Sequence, residues 1–204
     1  MFKITGIILA GGLGRRMTKP IDGSCTAATI EKGLVNFRNQ PMVQCIAQRL
    51  EAQVDEIIIN ANRELERYAT FGYPVIQDNI SGFAGPLAGL HAGMQGAKNP
   101  YILTAPCDSP LLALDLAERL SIAMMQNKAD IAVAKTGIQV HPVFCLCNKN
   151  VLPHLEHYLQ NGGRKFETWY STLNAIEVNF DDNPLAFANI NTPEDLMKLE
   201  AATV

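Results

Sequence analysis

Residues 3–12 read KITGIILAGG, an apolar, β-branched run that stops on two glycines and is followed by Leu13, Gly14 and the arginines Arg15 and Arg16. So uniformly apolar a run fits a strand covered on both faces, and such strands belong to parallel sheets with helices on each side. The junction behind it has two readings. Gly11 and Gly12 form a tight turn at the end of a buried strand, with solvated arginines beyond; or bare backbone N–H groups approach an anion whose oxygens the arginines pair in bidentate fashion.

The pattern recurs along the chain. EIIIN (56–60), YPVIQ (73–77), YILTA (101–105), DIAVAK (130–135), HPVFCLC (141–147) and NAIEVNF (174–180) read as further strands. The segments between them carry helical periodicity. In MVQCIAQRLEAQ (42–53) Val43, Ile46, Ala47 and Leu50 share one stripe, and in LDLAERLSIAMMQ (114–126) Leu116, Leu120 and Ala123 do. In NTPEDLMKLEAA (191–202), Thr192 is placed as N-cap, Pro193 in the first helical position and Asp195 in the capping-box place, so a last helix starts there. Neither repeat nor linker divides residues 1–204, which are expected to form a single domain. The expected fold is α/β: Rossmann-like, three layers, a mostly parallel sheet flanked by helices, with ligands beyond the C-terminal ends of the strands.

Composition narrows the function. The net charge of the 204 residues is −3, and lysines and arginines form no long run. Nucleic acid is therefore not an expected partner, and a bound anion should be small. No stretch approaches the roughly 20 apolar residues of a membrane span, and the start lacks the pattern of a secretion signal, so a cytoplasmic location without membrane contact is expected. The five cysteines, Cys25, Cys45, Cys107, Cys145 and Cys147, are odd in number and scattered, as suits reduced thiols. Cys145 and Cys147 share a strand face, but a second pair to complete a zinc site is missing, so they read as core thiols. His141, His154 and His157 likewise lack a ligand set and read as structural or surface residues.

The residues at the strand ends carry the chemistry. Gly11 and Gly12 follow the first strand, Asn60 ends the second, Asp78 follows the third, and Cys107 and Asp108 follow the fourth. Each alone reads as a turn former or helix cap; together, on one edge, they suit a nucleoside triphosphate. Glycine N–H groups with arginine or lysine hold phosphates, one carboxylate holds Mg2+, and amides with the other carboxylate read base or ribose. Two familiar phosphate loops are absent. G-x-x-x-x-G-K-[ST] does not occur, and G-x-G-x-x-G fails because Met17 stands where the third glycine belongs.

LAGGLGRRM (9–17), EKGLVNFRNQPMV (31–43), INAN (59–62), VIQD (75–78), GPLAGLHAGM (85–94), PCDSP (106–110) and NINTPEDL (189–196) resemble, in that order and over nearly the whole chain, the molybdenum cofactor guanylyltransferases. The resemblance implies a nucleotidyltransferase in which the terminal phosphate of molybdopterin attacks the α-phosphate of GTP, with Mg2+, giving the guanine dinucleotide cofactor and pyrophosphate. It implies nucleotide contacts from Leu9, Ala10, Gly11 and Gly12, charge neutralisation by Arg16 and Lys32, guanosine recognition by Asn60 and Asp78, and metal binding by Asp108. Gly85, Gly89, Arg164, Asn189 and Asn191 are the implied pterin contacts, which puts the nucleotide part in the N-terminal half and the pterin part in the C-terminal half. Transient contacts with proteins that supply and receive the cofactor are also implied.

The acceptor is already an anion, so alignment and charge neutralisation suffice and no strong general base is required. One departure from the family is the run Thr18 to Glu31, where family members have a short loop ending in Asp-Lys-Gly; it leaves Lys19 and Lys32 as alternative phosphate lysines, and the sequence after Lys32 favours the latter. The rival readings are a cytidylyltransferase of the same cofactor, in whose relatives the motif resembles LAAG, and a non-catalytic pterin-binding or delivery protein.

Overall fold

The computed structural model describes residues 2–11, 31–80 and 85–202. In chain order its elements are β1 (Ile4–Leu9), a 3-10 turn at Lys32–Leu34, β2 (Asn36–Phe37), β3 (Gln40–Pro41), α1 (Met42–Glu51), β4 (Glu56–Asn60), α2 (Leu65–Ala69), β5 (Val75–Ile76) and α3 (Pro86–Gly96). Then follow β6 (Tyr101–Pro106), α4 (Leu116–Asn127), β7 (Ile131–Thr136), β8 (Gln139–Asn148), α5 (Leu152–Gln160), α6 (Phe166–Tyr170), β9 (Ala175–Asn179) and α7 (Pro193–Ala201). Seven strands form one sheet in the order β5-β4-β1-β6-β8-β7-β9. β1, whose residues are all buried, pairs in parallel with β4 and β6, and β7 pairs in parallel with β9. Only β8 runs against its neighbours β6 and β7.

The apolar strands are apolar because both faces are covered. Ile4 and Ile8 join a core with α1 and α4, while Ile7 and Leu9 point the other way into a core with α3, α5 and Trp169. Ile57 and Ile59 against Ile58 repeat that alternation on β4. The stripe foreseen on α1 is complete, since Val43, Ile46, Ala47 and Leu50 are all fully buried. On α4 the buried stripe passes through Met124 instead of Ala123. Gly93 sets the closeness of α3 to the sheet: a Cβ there would stand 2.1 Å from Cδ1 of Ile7.

Two of the expected strands differ in extent from their sequence pattern. YPVIQ pairs only at Val75 and Ile76. HPVFCLC belongs to the longer, antiparallel β8, joined to β7 by a turn in which Gly137 takes φ 53°; so short a link cannot make the crossover a parallel neighbour needs. Cys145 and Cys147 are fully buried on β8. The β2–β3 hairpin turns through Arg38 and Asn39, both left-handed at φ 50° and 64°, as a two-residue type I′ turn requires. α7 begins with the foreseen capping box between Thr192 and Asp195. Among the described residues, no helix is long and apolar enough to cross a membrane.

Candidate active site

Parallel pairing carries the ends of β1, β4, β5 and β6 to one edge of the sheet. There Ala10 N donates to Asn60 O at 2.8 Å and Cys107 N to Leu9 O at 3.0 Å, tying the loops beyond the strands together. They border a cleft of about 520 Å³ lined by Leu9, Gly11, Lys32, Asn60, Asp78, Gly85, Asp108 and Asn189, with the first half of β8 as its far wall. Because β8 is antiparallel, its beginning, not its end, reaches this edge.

At one end of the cleft Asp78 accepts from two amides: Asn60 Nδ2 at 2.9 Å on one oxygen and Asn62 Nδ2 at 2.8 Å on the other. Asn62 Oδ1 in turn accepts from Asp78 N at 2.9 Å. The cluster depends on two glycines. A Cβ on Gly11 would lie 2.8 Å from Asn62 Nδ2, and one on Gly89 would lie 2.3 Å from Asn60 Oδ1 and 2.7 Å from Leu9 Cδ2. Each asparagine amide keeps further hydrogen-bonding capacity, and each Asp78 oxygen can accept again.

In the middle of the cleft Lys32 Nζ donates to Asp108 Oδ2 at 3.0 Å and to Asn191 Oδ1 at 2.5 Å. Lys32 leaves the 3-10 turn beside Gly33, where a Cβ would stand 2.8 Å from the Tyr68 hydroxyl and 3.3 Å from Cys107 Cβ. The partner loop is knitted to the PCDSP segment: Ile190 N donates to Asp108 O at 2.8 Å and Ser109 Oγ to Asn189 Oδ1 at 2.6 Å. Asn191 N donates to Asp195 Oδ2 at 3.1 Å, so the capping box of α7 also fixes Asn191. Beneath Lys32, Glu31 is buried and faces Arg63 Nε at 2.8 Å; burial raises its carboxyl above the usual range, against the pull of Arg63. Burial pushes the Cys107 thiol up as well, so it stays protonated and is no nucleophile.

Among the described residues no cluster of three His, Cys, Asp or Glu could cage a metal. Asp108 is a lone carboxylate whose Oδ1 accepts from no described residue. That donor set fits an ion held chiefly by substrate phosphates and water, as Mg2+ usually is with nucleotides.

Of the residues singled out in the sequence, Leu9, Gly11, Lys32, Asn60, Asp78, Gly85, Asp108 and Asn189 line the cleft. Ala10 is buried just behind it, and Asn191 reaches it through Lys32. Two expected contacts do not line it. Gly89 is buried inside α3, where its bare Cα admits Asn60 and Leu9, and exposed Arg164 donates to Leu159 O at 2.9 Å and Gly163 O at 2.7 Å, closing the end of α5. Gly12, Arg16 and Lys19 lie outside the described residues. Asn62 and the β8 wall escaped the sequence reading. INAN did contain Asn62, and the short run between DIAVAK and HPVFCLC was the signal for an antiparallel β8, since a parallel crossover needs about a dozen or more residues. His141, read as a structural or surface residue, lines the cleft.

A three-layer α/β fold with a lysine–carboxylate pair and an amide–carboxylate cluster at its strand ends defines a nucleotidyltransferase-like domain. A family model described as the MobA-like NTP transferase domain matches residues 6–174. The molybdenum cofactor guanylyltransferase of Polynucleobacter asymbioticus is 45% identical over 98% of this chain and 96% of its own, and that of Ralstonia pickettii 46% over 96% and 95%. The solved molybdopterin-guanine dinucleotide biosynthesis protein A from Archaeoglobus fulgidus superposes with TM-score 0.77 at 21% identity, covering 97% of each chain. The chain belongs to the MobA-like NTP transferase family, alongside the molybdenum cofactor guanylyltransferases.

Proposed function

We propose that the protein transfers GMP from GTP to the terminal phosphate of molybdopterin. An oxygen of that phosphate bonds to the α-phosphorus of GTP, the bond from this phosphorus to the bridging oxygen of the β-phosphate breaks, and pyrophosphate leaves. The observation that carries the reading is the meeting of the Lys32–Asp108 pair with the Asn60–Asp78 cluster in one cleft, in a chain about 45% identical to guanylyltransferases over nearly its full length.

Lys32 supplies fixed positive charge to the phosphates, and the backbone of Leu9, Ala10 and Gly11 approaches the nucleotide. Gly12 and Arg16 are assigned to the phosphates by resemblance. The Asp78 carboxylate suits the N–H donors on the edge of guanine, with Asn60 and Asn62 holding it in place. Asp108 would hold Mg2+, which neutralises charge developing on the transferring and leaving phosphates. Gly85 and Asn189, which also line the cleft, are left to the acceptor by resemblance. The acceptor phosphate needs no proton removed, which accords with a cleft whose one thiol is protonated.

Incubating the purified protein with GTP, Mg2+ and molybdopterin, and identifying the product by mass, tests this reading. A guanine dinucleotide of the pterin is the expected product; unchanged substrates would overturn the assignment.

A further inference from the structure

The far wall of the cleft is built by an irregularity in the sheet. Between β7 and β8 the register runs Ile131 with Cys147, Ala132 with Leu146 and Val133 with Cys145, then jumps to Ala134 with His141. Residues 142–144 are thus left over on β8. Pairing of β8 with β6 also stops at Thr104 and Cys145, although β1 stays paired with β6 as far as Pro106. The sheet therefore parts between β6 and β8 at its functional edge. Thr104 Oγ1 donates to Val143 O at 2.6 Å and satisfies a carbonyl that the bulge removes from the ladder. Bulges of this kind re-aim side chains and gather beside active sites.

His141 stands where the normal register resumes. Its ring stacks on Phe187 at 4.8 Å between centroids and 17° between planes, and meets Phe144 edge-on at 6.1 Å. Nε2 is shared with Thr136 Oγ1 at 2.7 Å, while Nδ1 has no partner among the described residues. A ring held on one face and at one nitrogen, in the wall of a cleft, is pre-oriented for a ligand. Around it the wall is Val140, Pro142, Val143 and Phe144. Such a wall offers no charge to a triphosphate, which Lys32 at the centre of the cleft serves; it suits a flat heterocycle with hydrogen-bonding edges.

We infer that the bulged start of β8 forms the acceptor subsite, and that His141 is a binding residue for the heterocyclic acceptor, touching it through its ring and Nδ1. The inference rests on the transfer reaction proposed above. Thr136 and Phe187 act through His141 as positioning residues. Burial holds the imidazole below its ordinary range and keeps it neutral, so that Nδ1 offers a hydrogen bond rather than a charge.

Steady-state pyrophosphate release with molybdopterin as varied substrate, together with calorimetric GTP binding, tests the inference on wild type, His141→Ala, His141→Asn and Thr136→Val. His141→Ala should raise the KM for molybdopterin about tenfold, the scale of one lost hydrogen bond with its packing, and leave the GTP dissociation constant within twofold. His141→Asn, which keeps a polar atom near Nδ1, should recover part of the loss, and Thr136→Val should raise the same KM to a smaller extent. An unchanged molybdopterin KM in His141→Ala, or an equal weakening of GTP binding, overturns the inference. A wild-type protein that releases no pyrophosphate would instead overturn the transfer reaction itself.

Discussion

Lys32 Nζ donates to Oδ1 of Asn191 at 2.5 Å across 159 positions of sequence. The same ammonium pairs with Asp108 at 3.0 Å, so one lysine joins the strand-end loop after β6 to the loop before the last helix. Both side chains of the Lys32–Asp108 pair are largely shielded, at 17% and 16% exposure, so bulk water screens the charges weakly. The cleft thus holds a cation fixed by the scaffold before any phosphate arrives, which is the condition under which charge neutralisation is most effective.

Removing that cation should stop transfer without unfolding the protein. Lys32→Ala is expected to lower pyrophosphate release on the order of a hundredfold, as loss of a preorganised charge does. Lys19→Ala, in the run that separates the two candidate lysines, should change it by less than about threefold. A dead Lys19→Ala beside an active Lys32→Ala would show that Lys19 serves the phosphates.

Asp108→Asn should preserve the fold, because the backbone carbonyl that accepts from Ile190 is untouched. The neutral amide removes the charge a hard cation prefers. Turnover should fall about a hundredfold or more at any Mg2+ concentration, followed by titrating Mg2+ in the pyrophosphate assay. Near-normal turnover with ordinary metal dependence would remove Asp108 from the metal site.

Gly89→Ala probes packing behind the Asn60–Asp78 cluster. The added carbon would fall within 3 Å of Asn60 Oδ1 and Leu9 Cδ2, and such overpacking costs about 1–3 kcal/mol. Chemical denaturation should show that loss, and calorimetry should show weaker GTP binding because Asn60 must move away from Asp78. Wild-type stability with wild-type affinity would contradict the packing described.

Acid should destabilise the fold through four aspartates held below the ordinary aspartate value of 3.8: Asp55 by Lys3, Asp181 by the Gly137 N–H, Asp182 by Arg119 and Asp195 by the Asn191 N–H. Each is lower in the folded protein than in the unfolded chain. Their stabilisation is therefore present above that value and disappears as the pH falls through the folded values. The melting temperature should drop below about pH 4 as these aspartates protonate; a rise there would contradict the assignment.

The legible parts of this protein were those written in local pattern. Continuous apolar runs gave β1, β4 and β6, and with them the edge where Gly11, Asn60 and Asp108 meet. Thr192, Pro193 and Asp195 marked the start of α7. What stayed hidden depends on tertiary choices. The short β7–β8 turn makes β8 antiparallel, and its bulge brings His141 to the cleft, neither of which periodicity can signal. Gly89 and Arg164 carry motif resemblance, but burial under Asn60 and a helix-end role place them away from the cleft wall.

The proposed assignment has the Asn60–Asp78 end of the cleft reading guanine while Lys32 and Asp108 serve the phosphates. Its most direct test is pyrophosphate release by the wild-type protein with molybdopterin and Mg2+, comparing GTP and CTP under identical conditions. GTP should be used at least about tenfold more efficiently, a difference of about 1.4 kcal/mol that a few shielded polar contacts supply. Equal or greater efficiency with CTP would contradict it.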